Sequence, residues 1–122
     1  MRSGTKPRLL IVEDDGRLRR AFASALARDY DVVATRSVDD AALVLANDAD
    51  VEVVLCDLVL DGAPGDDLFT RLEKRRDPRA RRLVLMTAHD PSEMQALPVP
   101  MLRQPVHLAV LREALAGVLA AS

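Results

Sequence analysis

Short apolar runs alternate along this chain with stripes of helical spacing. The first run, Arg8 to Val12 (RLLIV), stops at Glu13-Asp14-Asp15-Gly16. A continuous run of this length suits a strand buried on both faces of a parallel sheet. From Arg17 the period changes, and Leu18, Phe22, Ala25 and Leu26 fall on one side of a helix. Asp31 to Thr35 (DVVAT) predicts a second strand. Ser37 then offers an N-cap with Asp39 and Asp40 in the first turn, and Val38, Ala41, Ala42, Leu45 and Ala46 form the next stripe. Val51 to Cys56 (VEVVLC) predicts a third strand ending at Asp57, before a loop with Gly62, Pro64 and Gly65. Leu68, Phe69 and Leu72 mark a third helix, which runs into a charged stretch before Pro78. Leu83 to Met86 predicts a fourth strand ending at Thr87-Ala88. Asp90-Pro91-Ser92 can open a helix, but only about one turn fits before Pro98. Val99 to Leu102 predicts a short fifth strand. Leu108, Leu111, Leu115, Val118 and Leu119 close the chain with an amphipathic helix.

The order is strand then helix, five times. Such alternation with short loops implies right-handed crossovers and a parallel sheet covered by helices on both faces. At 122 residues the chain is expected to be one domain, residues 1–122, and no linker or internal repeat divides it. A hydrophobic fraction of 49% is ample for a core. Aromatic residues make up 2% (Phe22, Tyr30 and Phe69), too few for a row of base-stacking platforms. A net charge of -2 gives no global attraction to nucleic acid, so direct nucleic-acid binding is not expected. The single cysteine, Cys56, excludes an internal disulfide and suits a small buried hydrophobe. No 18-residue apolar stretch or signal-like N-terminus is present, so no membrane association and a cytoplasmic location are expected.

Chemistry collects at the carboxyl ends of the predicted strands, where open parallel sheets place their ligand sites. Glu13-Asp14-Asp15 follows the first strand, Asp57 the third, Thr87 the fourth and Gln104-Pro105 the fifth. Converging carboxylates repel one another unless a cation or proton intervenes. Oxygen ligands without His or Cys favour a hard ion, and Mg²⁺ is the usual choice beside phosphate chemistry. A carboxylate there can attack a phosphoryl group to form an acyl phosphate. The plainer alternative for Glu13-Asp14-Asp15 is an acidic turn at the start of the first helix, and Asp15 in particular suits a cap. The run from Arg71 to Arg82 carries seven Lys or Arg and suits a solvated helix end and loop. His89 and His107 are too isolated for a metal cluster, and Arg103 is expected on the surface, opposite Gln104.

The segments LLIVEDD, VVLCDLVLDGAPGDDL and LVLMTA, with Gln104-Pro105, resemble the receiver domain of two-component response regulators. The resemblance runs from about Arg8 to Leu119. It implies a flavodoxin-like doubly wound (βα)5 α/β fold with a five-stranded parallel sheet of order 2-1-3-4-5. It implies Asp57 as phosphoacceptor, taking a phosphoryl group from a sensor histidine kinase or phosphotransfer protein. Glu13, Asp14, Asp57 and the backbone carbonyl of Val59 would hold Mg²⁺, with Thr87 turning toward the phosphoryl oxygens. Gly65 would let the loop after Asp57 turn, and Gln104-Pro105 would be cis. The output would pass to a protein target through the face of the fourth helix, fifth strand and last helix. A homodimer is left open, and so is a phosphorylation-independent interaction module. Enzymatic turnover of an external substrate is not expected: Val59 stands where phosphatases that use an aspartyl-phosphate need a second Asp.

Three positions depart from the family. Gln104 stands where a lysine is usual, and an amide brings no charge. Met101 stands where a switching Tyr or Phe is usual. The stretch between Thr87 and Gln104 is short by about one helical turn, so a shortened fourth helix is expected. Asp61, where a proline is common, and His89 are smaller oddities.

Overall fold

In the computed structural model, residues 6–60, 62–93 and 96–121 are described. They hold five strands: β1 (Arg8–Val12), β2 (Asp31–Thr35), β3 (Val51–Asp57), β4 (Leu83–Thr87) and β5 (Met101–Arg103). They also hold four α-helices: α1 (Gly16–Leu26), α2 (Val38–Asn47), α3 (Asp66–Lys74) and α4 (Leu108–Ala120). The sheet is wholly parallel, in the order β2-β1-β3-β4-β5. Asp61 lies outside the described residues.

Strand alternation divides the core into two layers, because successive side chains leave opposite faces of a sheet. Leu10, Val12, Val54, Cys56, Leu83 and Leu85 pack under Val38, Ala41 and Leu45 of α2 and Leu68 and Leu72 of α3. Leu9, Ile11, Val53, Leu55, Val84 and Met86 pack under Leu26 of α1 and Leu111, Leu115 and Val118 of α4. Tyr30 joins the second layer, and Met101 is half-buried against the first. The helix starts follow local chemistry. Asp15 caps α1 by accepting from the amides of Arg17 (2.9 Å) and Leu18 (3.4 Å), and Ser37 caps α2 by accepting from Asp40 (3.1 Å).

The fifth crossover differs from the expectation. Strand β5 begins at Met101 rather than Val99, because Pro100 has no N–H for the ladder; its carbonyl instead accepts from Leu85 at 2.9 Å. The fourth helix is reduced, among the described residues, to a 3-10 turn at Pro91–Glu93. Asp90 opens that turn by accepting from the amide (3.0 Å) and hydroxyl (2.8 Å) of Ser92. The stripe of the last helix also narrows, since Leu108 is exposed.

The basic run is not uniformly solvated. Arg79, in the 3-10 turn Pro78–Arg82, is nearly buried against Asp77. Its guanidinium binds both Asp77 oxygens and the carbonyls of Leu45 (2.6 Å), Asp48 (2.9 Å) and Val51 (3.5 Å). Arg81 pairs with Glu73 at 3.0 Å and lies over the Phe69 ring. No described helix is long and apolar enough to cross a membrane.

Candidate functional site

The ends of β1 and β3 are adjacent in the sheet, with Val12 opposite Cys56. The chain that leaves them therefore brings Glu13, Asp14 and Asp57 together. One carboxylate oxygen from each lies within 4.8 Å of the others. Glu13 and Asp57 are 1% and 8% exposed, and Asp14 is half-buried.

The turn after β1 is held from several sides. The Glu13 amide donates to Thr35 O on β2 at 3.1 Å, and the Asp15 amide donates to Glu13 Oε2 at 3.1 Å. Glu13 Oε1 is buried with no hydrogen-bond partner among the described residues. Burial pushes the Glu13 carboxyl up to about 8, against the opposing bond from Asp15 and with help from the negative charge of Asp57. Three clustered carboxylates with an orphaned buried oxygen match the donor chemistry of a hard divalent cation.

Asp57 is set by its own loop. Its Oδ1 accepts from the Val59 amide at 3.2 Å. The Leu58 amide donates to Met86 O on β4, and the Gly65 amide donates to Leu58 O, both at 2.8 Å. Gly65 is required here for space rather than for a left-handed turn, since its φ is -61°. A Cβ at that position would collide with the Asp57 carbonyl oxygen and lie 2.9 Å from Leu58 Cα. The conformational demand falls on Gly62, at φ +90°. Cys56 is fully buried behind Asp57, and burial raises its thiol well above the usual range, so it is an inert core residue.

Thr87 ends β4 beside Asp57, whose ladder partner is Met86. Thr87 is fully buried; its Oγ1 accepts from the His89 amide at 3.0 Å, and its carbonyl accepts from the Gln104 amide at 2.7 Å. Gln104 thus sits one strand beyond Thr87, and the Gln104-Pro105 bond is cis. Gln104, Pro105 and Val106 line a cleft of about 380 Å³ with Leu18 and Phe22 of α1. Arg103 is exposed, as the sequence implies, and so is His89. Val59 is 64% exposed, its side chain outside the cluster.

One residue was not singled out from sequence. Arg19 Nη1 donates to the Glu13 carbonyl at 2.9 Å and reaches that of Asp14 at 3.4 Å. The available signal was its place one helical turn past the acidic segment, on a helix whose first turn holds no acid.

Comparison with known proteins bears on the family and the fold. Residues 9–99 match the family model of the response regulator receiver domain. The chain is 33% identical over 94 residues to the nitrate/nitrite response regulator protein NarP of Escherichia coli (strain K12), covering 75% of this chain and 43% of that protein. It therefore spans less than half the length of that relative. The non-phosphorylated HemR receiver domain from Leptospira biflexa superposes with a TM-score of 0.74 at 26% identity, covering 96% of this chain and 97% of that one. Response regulator protein TrrA from Thermotoga maritima, in complex with Mg(2+)-BeF, superposes with a TM-score of 0.81 at 17% identity, covering 93% and 99%. With a matching family model over most of its length and this fold, the chain belongs to the response regulator receiver family.

Proposed function

We propose that the chain is a phosphoacceptor module of a two-component relay, in which Asp57 takes a phosphoryl group from a histidine of a sensor kinase or phosphotransfer protein. One observation carries the reading: the carboxylates of Glu13, Asp14 and Asp57 meet within 4.8 Å, beside an unpartnered buried oxygen of Glu13. Leaving such an oxygen unpaired is costly, and a divalent cation would satisfy it. Glu13, Asp14 and Asp57, with the Val59 carbonyl, would hold Mg²⁺, the ion in the TrrA complex. When bound, the ion supplies positive charge to the phosphoryl oxygens.

The chain's own residues do the rest. An Asp57 carboxylate oxygen attacks phosphorus; the O–P bond forms as the donor's N–P bond breaks, and the electron pair leaves on the imidazole nitrogen. The Val59 amide holds the Asp57 carboxylate in orientation for that attack. Thr87 would exchange its bond from the His89 amide for one to a phosphoryl oxygen, releasing the loop that begins there. The target would dock on the face of β5 and α4. The module accepts its own phosphoryl group and turns over no external substrate, and the reading places it as a single domain in the cytoplasm.

The test is incubation with acetyl phosphate and Mg²⁺ followed by intact-mass measurement. One added phosphoryl group is expected, lost in Asp57→Asn and in excess EDTA. No gain with acetyl phosphate, together with no spectral response to beryllofluoride and Mg²⁺, sinks the reading.

Gln104 and Met101 favour a second reading, an interaction module insensitive to phosphorylation. An amide at position 104 forgoes a charge-assisted bond to the phosphoryl group, a deficit of roughly 1 kcal/mol or more. Gln104→Lys is therefore expected to tighten beryllofluoride binding about tenfold, measured by titration in Mg²⁺. Partner affinity unchanged by phosphodonor, in the wild type and in Gln104→Lys alike, would favour the second reading.

A further inference from the structure

We infer that Arg19 is the positioning residue of the acidic pair: it clamps the main-chain turn that carries Glu13 and Asp14 and so sets the site's affinity for a divalent cation. The inference rests on the metal-dependent reading given above.

Helix α1 opens in an unusual way. Its first turn holds no acidic residue, and Arg17, Arg19 and Arg20 all fall within its first five positions. Cations near a helix N-terminus oppose its dipole. Asp15 offsets part of this as the cap. Arg19 has a further compensation. Helical side chains lean toward the N-terminus, and Arg19 follows that direction back to the turn after β1. There its Nη1 takes the Glu13 carbonyl at 2.9 Å and approaches the Asp14 carbonyl at 3.4 Å.

These two carbonyls complete the restraint of the turn. Its N–H side is already held: Glu13 donates to Thr35 O, and Asp15 donates to Glu13 Oε2. Arg19 holds the C=O side. With both sides held, the directions in which Glu13 and Asp14 project toward Asp57 are set before any cation arrives. Fixing the groups behind the ligands in this way raises metal affinity by lowering the cost of organising them.

Charge and geometry make opposite demands, and that separates the hypotheses. A guanidinium near the site repels a cation, so a purely electrostatic role predicts tighter Mg²⁺ binding when Arg19 is removed. A positioning role predicts weaker binding. The experiment is a titration of the ¹⁵N-labelled chain with MgCl₂, following amide shifts, for wild type, Arg19→Ala, Arg19→Lys and Arg17→Ala. Amide hydrogen exchange at Glu13 and Asp15 is measured in parallel in EDTA. Arg19→Ala is expected to weaken Mg²⁺ about tenfold, with part of the loss recovered in Arg19→Lys and none seen in Arg17→Ala. Exchange at Glu13 and Asp15 is expected to quicken in Arg19→Ala while Leu10 and Ile11 keep their protection. Tighter or equal Mg²⁺ binding in Arg19→Ala overturns the inference. A wild-type chain that takes no Mg²⁺ overturns the metal reading instead; the exchange data then decide the clamp alone, faster exchange upholding it and unchanged exchange overturning it.

Discussion

Glu13→Gln should make the metal-free chain more stable than the wild type at pH 8 and should level its stability across the neutral range. Glu13 is 1% exposed, and its carboxyl is pushed up to about 8, first by burial and then by Asp57. In the unfolded chain it titrates near the ordinary glutamate value, about 4.3. The folded pKa is raised, so the folded state binds a proton that the unfolded state has released. The stability this confers is fully present below about pH 4 and is lost as pH rises through about 8. The metal-free wild type should therefore weaken by a few kcal/mol between about pH 5 and pH 9. Glutamine stays neutral throughout and removes that slope. Mg²⁺ should act in the opposite sense, stabilising the wild type more at pH 8 than at pH 5, because the ion competes with the proton for Glu13. Urea denaturation at both pH values, in EDTA and in MgCl₂, checks this. Parallel profiles for wild type and Glu13→Gln would show that Glu13 does not control the site's electrostatics.

Arg79→Ala should lower the unfolding free energy by about 3–5 kcal/mol, the cost of breaking a buried ion pair from one side. The effect is large because one guanidinium ties three segments together. It binds the Asp77 carboxylate, the carbonyls of Leu45 and Asp48 at the end of α2, and Val51 O at the start of β3. Removing it takes a donor from each of these acceptors, leaving Asp77 Oδ1 only the amide of residue 79 and the Asp48 carbonyl only the Val51 amide at 3.5 Å among the described residues. Arg79→Lys should recover only part of the loss, since a single ammonium cannot reproduce the planar fork. The pair also has an acid signature. The Arg79 guanidinium holds the Asp77 carboxyl below its usual range. With the folded pKa depressed, its contribution is present above about pH 4 and is lost as pH falls through the folded value. Arg79→Ala should accordingly show a shallower acid limb. A loss below about 1 kcal/mol in urea at pH 7 would mean that the site is solvated and only an ordinary surface pair.

The two variants probe opposite ends of the sheet. Glu13 lies at the carboxyl edge, where three carboxyl groups crowd within 4.8 Å and burial of one of them is costly without a proton or a cation. Arg79 lies beside the amino end of β3, where its charge is paired with Asp77. Stability is thus supplied away from the site and withdrawn at it, as expected for a site organised for binding.

Much of this arrangement is written in local pattern. The apolar runs at Arg8–Val12 and Leu83–Thr87 mark strands because a strand buried on both faces needs no polar side. Ser37 and Asp15 mark helix starts because their side chains satisfy nearby amides. Strand–helix alternation restricts the topology, and with it the edge where Glu13, Asp14, Asp57 and Thr87 gather. Those features depend on residues close in sequence, so periodicity and capping reveal them.

The remaining features depend on contacts between residues far apart in the chain. That Arg79 is nearly buried while its basic neighbours are largely exposed follows from carbonyls some thirty positions away on α2 and β3. Strand β5 starts at Met101 because Pro100 must meet β4 without a donor, a constraint visible only once the two segments are paired. Gly65 is needed for the closeness of the Asp57 backbone, not for its own dihedral angles. The composition of the acidic cluster was legible as residues at strand ends. Its closeness, within 4.8 Å, the orphaned Glu13 oxygen and the Arg19 clamp were not. By itself the sequence determined which elements form and which carboxylates share an edge, because these follow from local spacing. Only the tertiary structure decided which of those charges are paired, crowded or left without a partner, because burial and desolvation are properties of the packed whole.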